Sequence, residues 1–170
     1  MPTDAISVTL STLFRELVEG SPRDPSYMLN TGDLGLLGSL DKISAADASR
    51  TTSGGAPIAA HVEHLRYGLA LMNQWSAGVE NPWASADWTN AWRLTKVSEP
   101  EWDSLRAALR AETQRWLRSL GKAREPNVTQ LTYMMASIAH LAYHLGAIRQ
   151  IDRGARGPTA EEEVVIKRGR

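Results

Sequence analysis

Apolar residues recur at three- and four-residue intervals in four long stretches of the chain, and this spacing predicts four amphipathic helices. The first, over 4–20, rests on Ile6, Leu10, Leu13, Phe14 and Leu17, with Asp4 near its start and Gly20 as its stop. The second opens after 53–56 with Pro57 at the first helical position, and its seam is Ile58, Val62, Leu65, Leu69 and Met72. A capping box, Ser98 with Glu101 three residues on, starts the third, whose stripe is Trp102, Leu105, Leu109, Trp116 and Leu120. The fourth, over 126–151, puts Leu131, Met134, Ile138, Leu141, Leu145 and Ile148 on one face.

The stretches between these helices are long. Residues 21–56 are rich in Gly, Pro, Ser and Asp, yet Leu36, Leu37, Leu40 and Ile43 keep helical intervals, so the expectation is a crossover with one or two short helices. A second connection has turn signals at Gly78 and Asn81-Pro82 and a short helical piece around 84–92. Nothing alternates strongly enough to demand a sheet, and no period repeats. The expected fold class is therefore all-α, a four-helix bundle with long crossover connections. One domain is expected over 1–155, with a loosely attached tail at 156–170.

The fourth helix has an unusual polar side. No Asp, Glu, Lys or Arg occurs between Glu125 and Arg149, which predicts a helix buried nearly all round. His140 and His144 lie off its apolar face among Thr129, Tyr133, Ser137 and Ala147, a composition that suits a lined cavity better than a surface. Residues four apart are vertical neighbours on a helix, so the two imidazoles can converge on one point. The ordinary reading of His-x-x-x-His is two histidines on a wetter flank. The missing charges favour the site.

Composition narrows the chemistry. Across 170 residues the formal charge is zero, which gives no footprint for a nucleic-acid backbone or an anionic membrane. There is no cysteine, so a metal site must be built from histidines and carboxylates. The absence of a basic-apolar leader and of a membrane-length apolar run leads to the expectation of a cytoplasmic protein. Six tryptophans accompany a single phenylalanine, and Trp83, Trp88 and Trp92 in the second connection either roof a pocket or pack the crossover.

All four histidines fall as two close pairs on two predicted helices. On the second helix His61 stands about 60° from the centre of the apolar seam and His64 about 120°, so His61 is the better inward candidate. His64 is a fourth ligand, a group behind the ligands, or a flank histidine, and the flank reading comes first. His61, His140 and His144 meeting across a bundle would give three neutral imidazoles and an open position, an arrangement that lowers the pKa of a bound water or thiol. A di-iron carboxylate site needs Glu-x-x-His on two helices, and the fourth helix has no carboxylate to offer. Glu63 lies off the inward face and is expected to be solvated. Arg149 either holds a substrate carboxylate or pairs at the helix end.

The segments AAHVEHLRYGLAL, HLAYHLGAIRQI and DLGLLGSLDKISAADAS resemble the DinB/YfiT-like metalloenzyme family, also called the DinB-like domain. Together they span most of residues 30–151. The resemblance implies a four-helix bundle and a divalent metal held by His61, His140 and His144, with zinc or nickel first and iron or manganese next. The family pattern often has a second histidine beside the later ligand and Arg-Gly-Gln after it. Here Tyr143 precedes His144 and Leu145-Gly146-Ala147 follows, a departure on the substrate side. Some relatives are thiol-dependent transferases or isomerases, so the resemblance implies a low-molecular-weight thiol as cosubstrate. With the three-histidine site, the expectation is a metal-dependent enzyme that transfers a thiol to, or hydrolyses, a small electrophile, and a homodimeric assembly is expected.

The alternative is a non-catalytic metal- or small-molecule-binding bundle acting as a dimeric scaffold. It draws weight from the lack of an inward carboxylate or other second catalytic group. Tyr133 and Ser137 are the nearest hydroxyls, and neither is assigned a catalytic role.

Overall fold

The computed structural model describes residues 2–51, 55–122 and 124–168, with side chains from 5 to 166. The side chain of Asp4, residues 53 and 54 of the turn before the second helix, and residues 169 and 170 of the expected tail lie outside that range. Among the described residues the protein is all-helical. Its elements are α1 (Pro2–Glu19), α2 (Gly35–Leu40), α3 (Ala45–Ala48), α4 (Ile58–Ser76), α5 (Trp88–Ala91), α6 (Glu99–Leu120), α7 (Val128–Ile151), a 3-10 turn (Arg153–Ala155) and α8 (Ala160–Arg168). The four long helices coincide with the four apolar stripes. The only extended pairing among these residues is the single bridge between Ser21 and Asp33.

The chain divides into two compact units, one of residues 1–42 with 120–170 and one of residues 43–119. In the first, α1 and α7 run in the same direction. The Ser7 hydroxyl donates to the Lys122 carbonyl at 2.8 Å near their starts, and both helix ends reach the 33–39 segment. Phe14, Leu17, Leu36, Leu40, Met134, Leu141 and Ile148 are fully buried there. α1 stops at Gly20, whose φ of +90° and whose approach to the Asp33 carbonyl leave no room for a Cβ.

The 22–31 loop hangs on one buried carboxylate. Glu16 accepts the backbone N–H groups of Tyr27, Met28 and Leu29 at 2.7 to 3.0 Å, so burying this charge is compensated by three charge-assisted bonds.

In the second unit α4 and α6 also run in the same direction, because the long 77–98 connection carries the chain back before α6 begins. Asn73 donates to the Glu112 carbonyl and carboxylate at 3.0 and 2.7 Å, Trp75 tilts against Trp116 at 6.3 Å, and Ser76 bonds Ser119. One half of the expected capping box is seen at Ser98: Glu101 accepts the Ser98 N–H at 2.7 Å, and the Ser98 hydroxyl donates to the same carboxylate at 2.6 Å. Fully buried Trp102 donates its indole N–H to the Ile43 carbonyl at 2.7 Å and so ties α6 to the residues before α3.

One expectation is corrected. α7 is not buried nearly all round: Met135 is 57% and Tyr143 70% exposed, and Ala136, Ala139 and Gly146 are exposed beside them. Absence of charge left the helix's outer face neutral without placing it inside. The buried side is the predicted apolar face, from Met134 to Ile148.

The C-terminal residues are tied to the 30–33 segment. The Asn30 amide donates to the Pro158 carbonyl at 2.8 Å, the Thr31 N–H donates to Glu163 at 3.0 Å, and Ile166 lies over Gly32.

Candidate metal centre

α7 starts at a capping box of its own, Asn127 with Gln130, which fixes the register of everything after it. Thirteen residues past that cap stands His140, and one turn later His144. His144 is 2% exposed whereas His140 is exposed, and their Nε2 atoms are 2.7 Å apart. Two imidazole lone pairs at that distance would repel, so one ring must carry its proton between them as an N–H···N bond. Two nitrogens on one tetrahedral zinc would stand about 3.3 Å apart, given metal–nitrogen bonds near 2.05 Å. The pair is thus pre-aimed at a common point and needs only a small rotation of the exposed ring. Tyr143 meets His144 edge-on at 5.1 Å.

On α4 both histidines are buried, and both meet tryptophan. His64 stacks on Trp92 at 4.5 Å and 27° and lies 5.5 Å from Trp88, while His61 meets the edge of Trp92 at 5.2 Å. Trp88 is braced in turn by Tyr67, whose hydroxyl accepts the Asp87 N–H at 3.0 Å. The tryptophans therefore divide. Trp88 and Trp92 cover the α4 histidines, whereas Trp83 packs on Trp75 at 6.3 Å.

His64, His140 and His144 form a group of three ring donors that could hold a metal ion. The group contains His64 where the sequence reading places His61. His61 and His64 are about equally buried on α4, at 9% and 8% exposure, so burial does not rank one above the other, and His144 sits among the buried residues of α7.

The donor chemistry fits a borderline divalent ion, since three imidazoles and no thiolate suit zinc, nickel, iron or copper alike. Desolvation holds buried His61, and also His140, whose ring is partly covered where it meets His144 although the residue as a whole is exposed, below the ordinary histidine value of 6.5, which favours the neutral ring that binds metal. A histidine pKa lowered by folding makes the unfolded chain bind more protons below 6.5. The stability it supports is whole above that pH and is lost as pH falls through the folded values. Denaturant unfolding of metal-free protein should therefore show a lower midpoint at about pH 5.5 than at about pH 7.5, with a smaller drop in His61→Gln. An equal drop in wild type and variant contradicts this.

Other site residues find structural partners. Arg149 donates to Asp33 at 2.6 Å and to Ser39 at 3.2 Å, so it pairs at the helix end. Glu63 is held by Arg66 through two bonds of 2.6 and 2.7 Å in place of being solvated. Ser137 donates to the Met134 carbonyl at 2.6 Å, the local bond expected of a helical serine.

Among the described residues no helix is long and apolar enough to cross a membrane. The fold and the donor group together define an all-helical protein with a three-histidine group able to hold a metal ion. No family model, curated protein or solved structure matches the chain.

Proposed function

We propose that the protein is a divalent-metal-dependent enzyme with the four-helix-bundle architecture of the DinB/YfiT-like family. His64, His140 and His144 are its ligands, and its reaction is transfer of a thiol to, or hydrolysis of, a small electrophile. The observation that carries the reading is the His140–His144 pair, whose ring nitrogens already converge one helical turn apart. A bound zinc or nickel ion would supply Lewis acidity and make a nucleophile available near neutral pH.

The chain's own residues set the conditions for that chemistry. His144 is held by burial and by Tyr143. Trp88 and Trp92 shield His64 from water and restrict its ring. His140, exposed, leaves one side of the donor set accessible to a small molecule. A cytoplasmic setting accords with the reduced low-molecular-weight thiols such a reaction uses.

Steady-state assays with bacillithiol, mycothiol or glutathione and an activated electrophile test the reading. The expected result is turnover that a chelator abolishes and added zinc or nickel restores. Thiol consumption equal to the uncatalysed rate under every metal condition contradicts it.

A second reading, the non-catalytic binding bundle that pairs with a second copy of the chain, is favoured by one feature. α1 and α7 of the first unit border an apolar groove of about 490 Å³ lined by Ile6, Leu10, Leu13, Leu131 and Met135, and the outer face of α7 continues it without a charge. Such a neutral, partly apolar strip is the usual core of a homodimer contact.

A further inference from the structure

The first unit holds a second recess, remote in chemistry from the histidines. It has a volume of about 710 Å³, within the range of small-molecule sites, and lies between the 32–42 segment and the C-terminal residues 156–166. Its walls are built by close approach. A Cβ on Gly157 would fall 1.8 Å from the Asp33 carboxylate, and one on Gly32 would fall 2.6 Å from Ile166, so glycine alone lets α8 and its lead-in close over this side. The Asn30–Pro158 and Thr31–Glu163 bonds hold the two sides together.

The charges in this cleft are unequally used. Asp33 is committed to Arg149 at 2.6 Å and to the Gly35 N–H at 2.7 Å, and Glu162 accepts the Thr159 N–H at 2.7 Å. The two cations that line the cleft, Lys42 and Arg156, have no side-chain hydrogen bond or ion pair with any described residue. Beside them stand apolar side chains left open to solvent, Leu34 at 49% and Val165 at 70% exposure. With Asp33 neutralised by Arg149, the two cations outnumber the one remaining carboxylate of the lining, Glu162, and together with the apolar wall they select a molecule with an anionic head and an apolar body.

We propose that this cleft binds a small amphipathic carboxylate, with Lys42 and Arg156 clamping the anionic group and Leu34, Pro158, Val165 and Ile166 covering the apolar part. Neither cation contacts the histidine group, so the inference stands apart from the metal reading.

The test is titration of the full chain with octanoate below its micelle concentration, followed by calorimetry and by amide NMR. The expected result is saturable one-to-one binding that shifts the Gly32 and Gly157 amides. Octylammonium, octanol and acetate should each bind at least about ten-fold more weakly, as should octanoate to the Lys42→Gln/Arg156→Gln variant. Both cations are exposed, so that variant should keep the wild-type unfolding midpoint, and His140→Ala should bind octanoate unchanged. Absence of saturable binding overturns the proposal. So do equal affinity for octanol, shifts centred on Met135 in the α1–α7 groove, or an unaltered affinity in the double variant.

Discussion

Replacing His144 with alanine is expected to empty the metal centre, lowering affinity for zinc or nickel by at least about a hundred-fold, the upper effect seen even for groups that only support a ligand. His144 is the fixed member of the group. It is 2% exposed, lies on the firmly packed side of α7 and is braced by Tyr143, whereas His140 has solvent on one side. Losing it leaves two donors, His64 and the exposed His140, too few to hold an ion against water. Because a metal bound only by the folded state stabilises by RT ln(1 + [M]/Kd), the thermal midpoint of wild type should rise with added zinc and that of His144→Ala should not. Competition with a chromogenic chelator measures the affinity. A variant that competes as well as wild type contradicts the assignment.

Asp33→Ala is expected to cost about 3–5 kcal/mol, among the largest effects of any surface-remote substitution in the first unit. Asp33 is 4% exposed, and its side chain serves the Arg149 guanidinium and the Gly35 N–H, the latter at the start of α2. The alanine leaves a mostly buried guanidinium facing a cavity, and the charge without its partner accounts for most of the cost. The double variant Asp33→Ala/Arg149→Met should recover much of the loss, since removing both charges removes the desolvation that neither can escape alone. Denaturant unfolding of the two single variants and the double variant measures this. A single-variant cost below about 1 kcal/mol, the level of a surface pair, would show that the ion pair does not brace the helix end.

The parts of this protein readable from sequence are those governed by local periodicity. Most stripe residues of α1, α4, α6 and α7 are buried, although Ile6, Leu13 and Leu131 are only half-buried and Val18 and Leu71 are buried outside the stripes, and Ser98 with Glu101 marks the α6 start because capping is decided within four residues. The two histidine pairs were legible for the same reason. Which α4 histidine belongs to the group was not, because both are buried and a helical wheel ranks residues by angle alone, without the position of donors on another helix. The exposure of Met135 and Tyr143 was hidden because an uncharged helix face carries no mark of what lies against it. The Asp33–Arg149 pair spans 116 residues, and the cleft of Lys42 and Arg156 depends on two glycines whose value is visible only once the chain has closed over them.

The measurement that bears most directly on the metal centre is elemental analysis of protein purified without a histidine tag, alongside His61→Ala, His64→Ala, His140→Ala and His144→Ala prepared identically. The expected result is about one zinc or nickel per chain in wild type and in His61→Ala, with the metal lost from the other three. A wild-type protein that is empty and takes up no added zinc or nickel, with all four variants folding alike, would contradict the site.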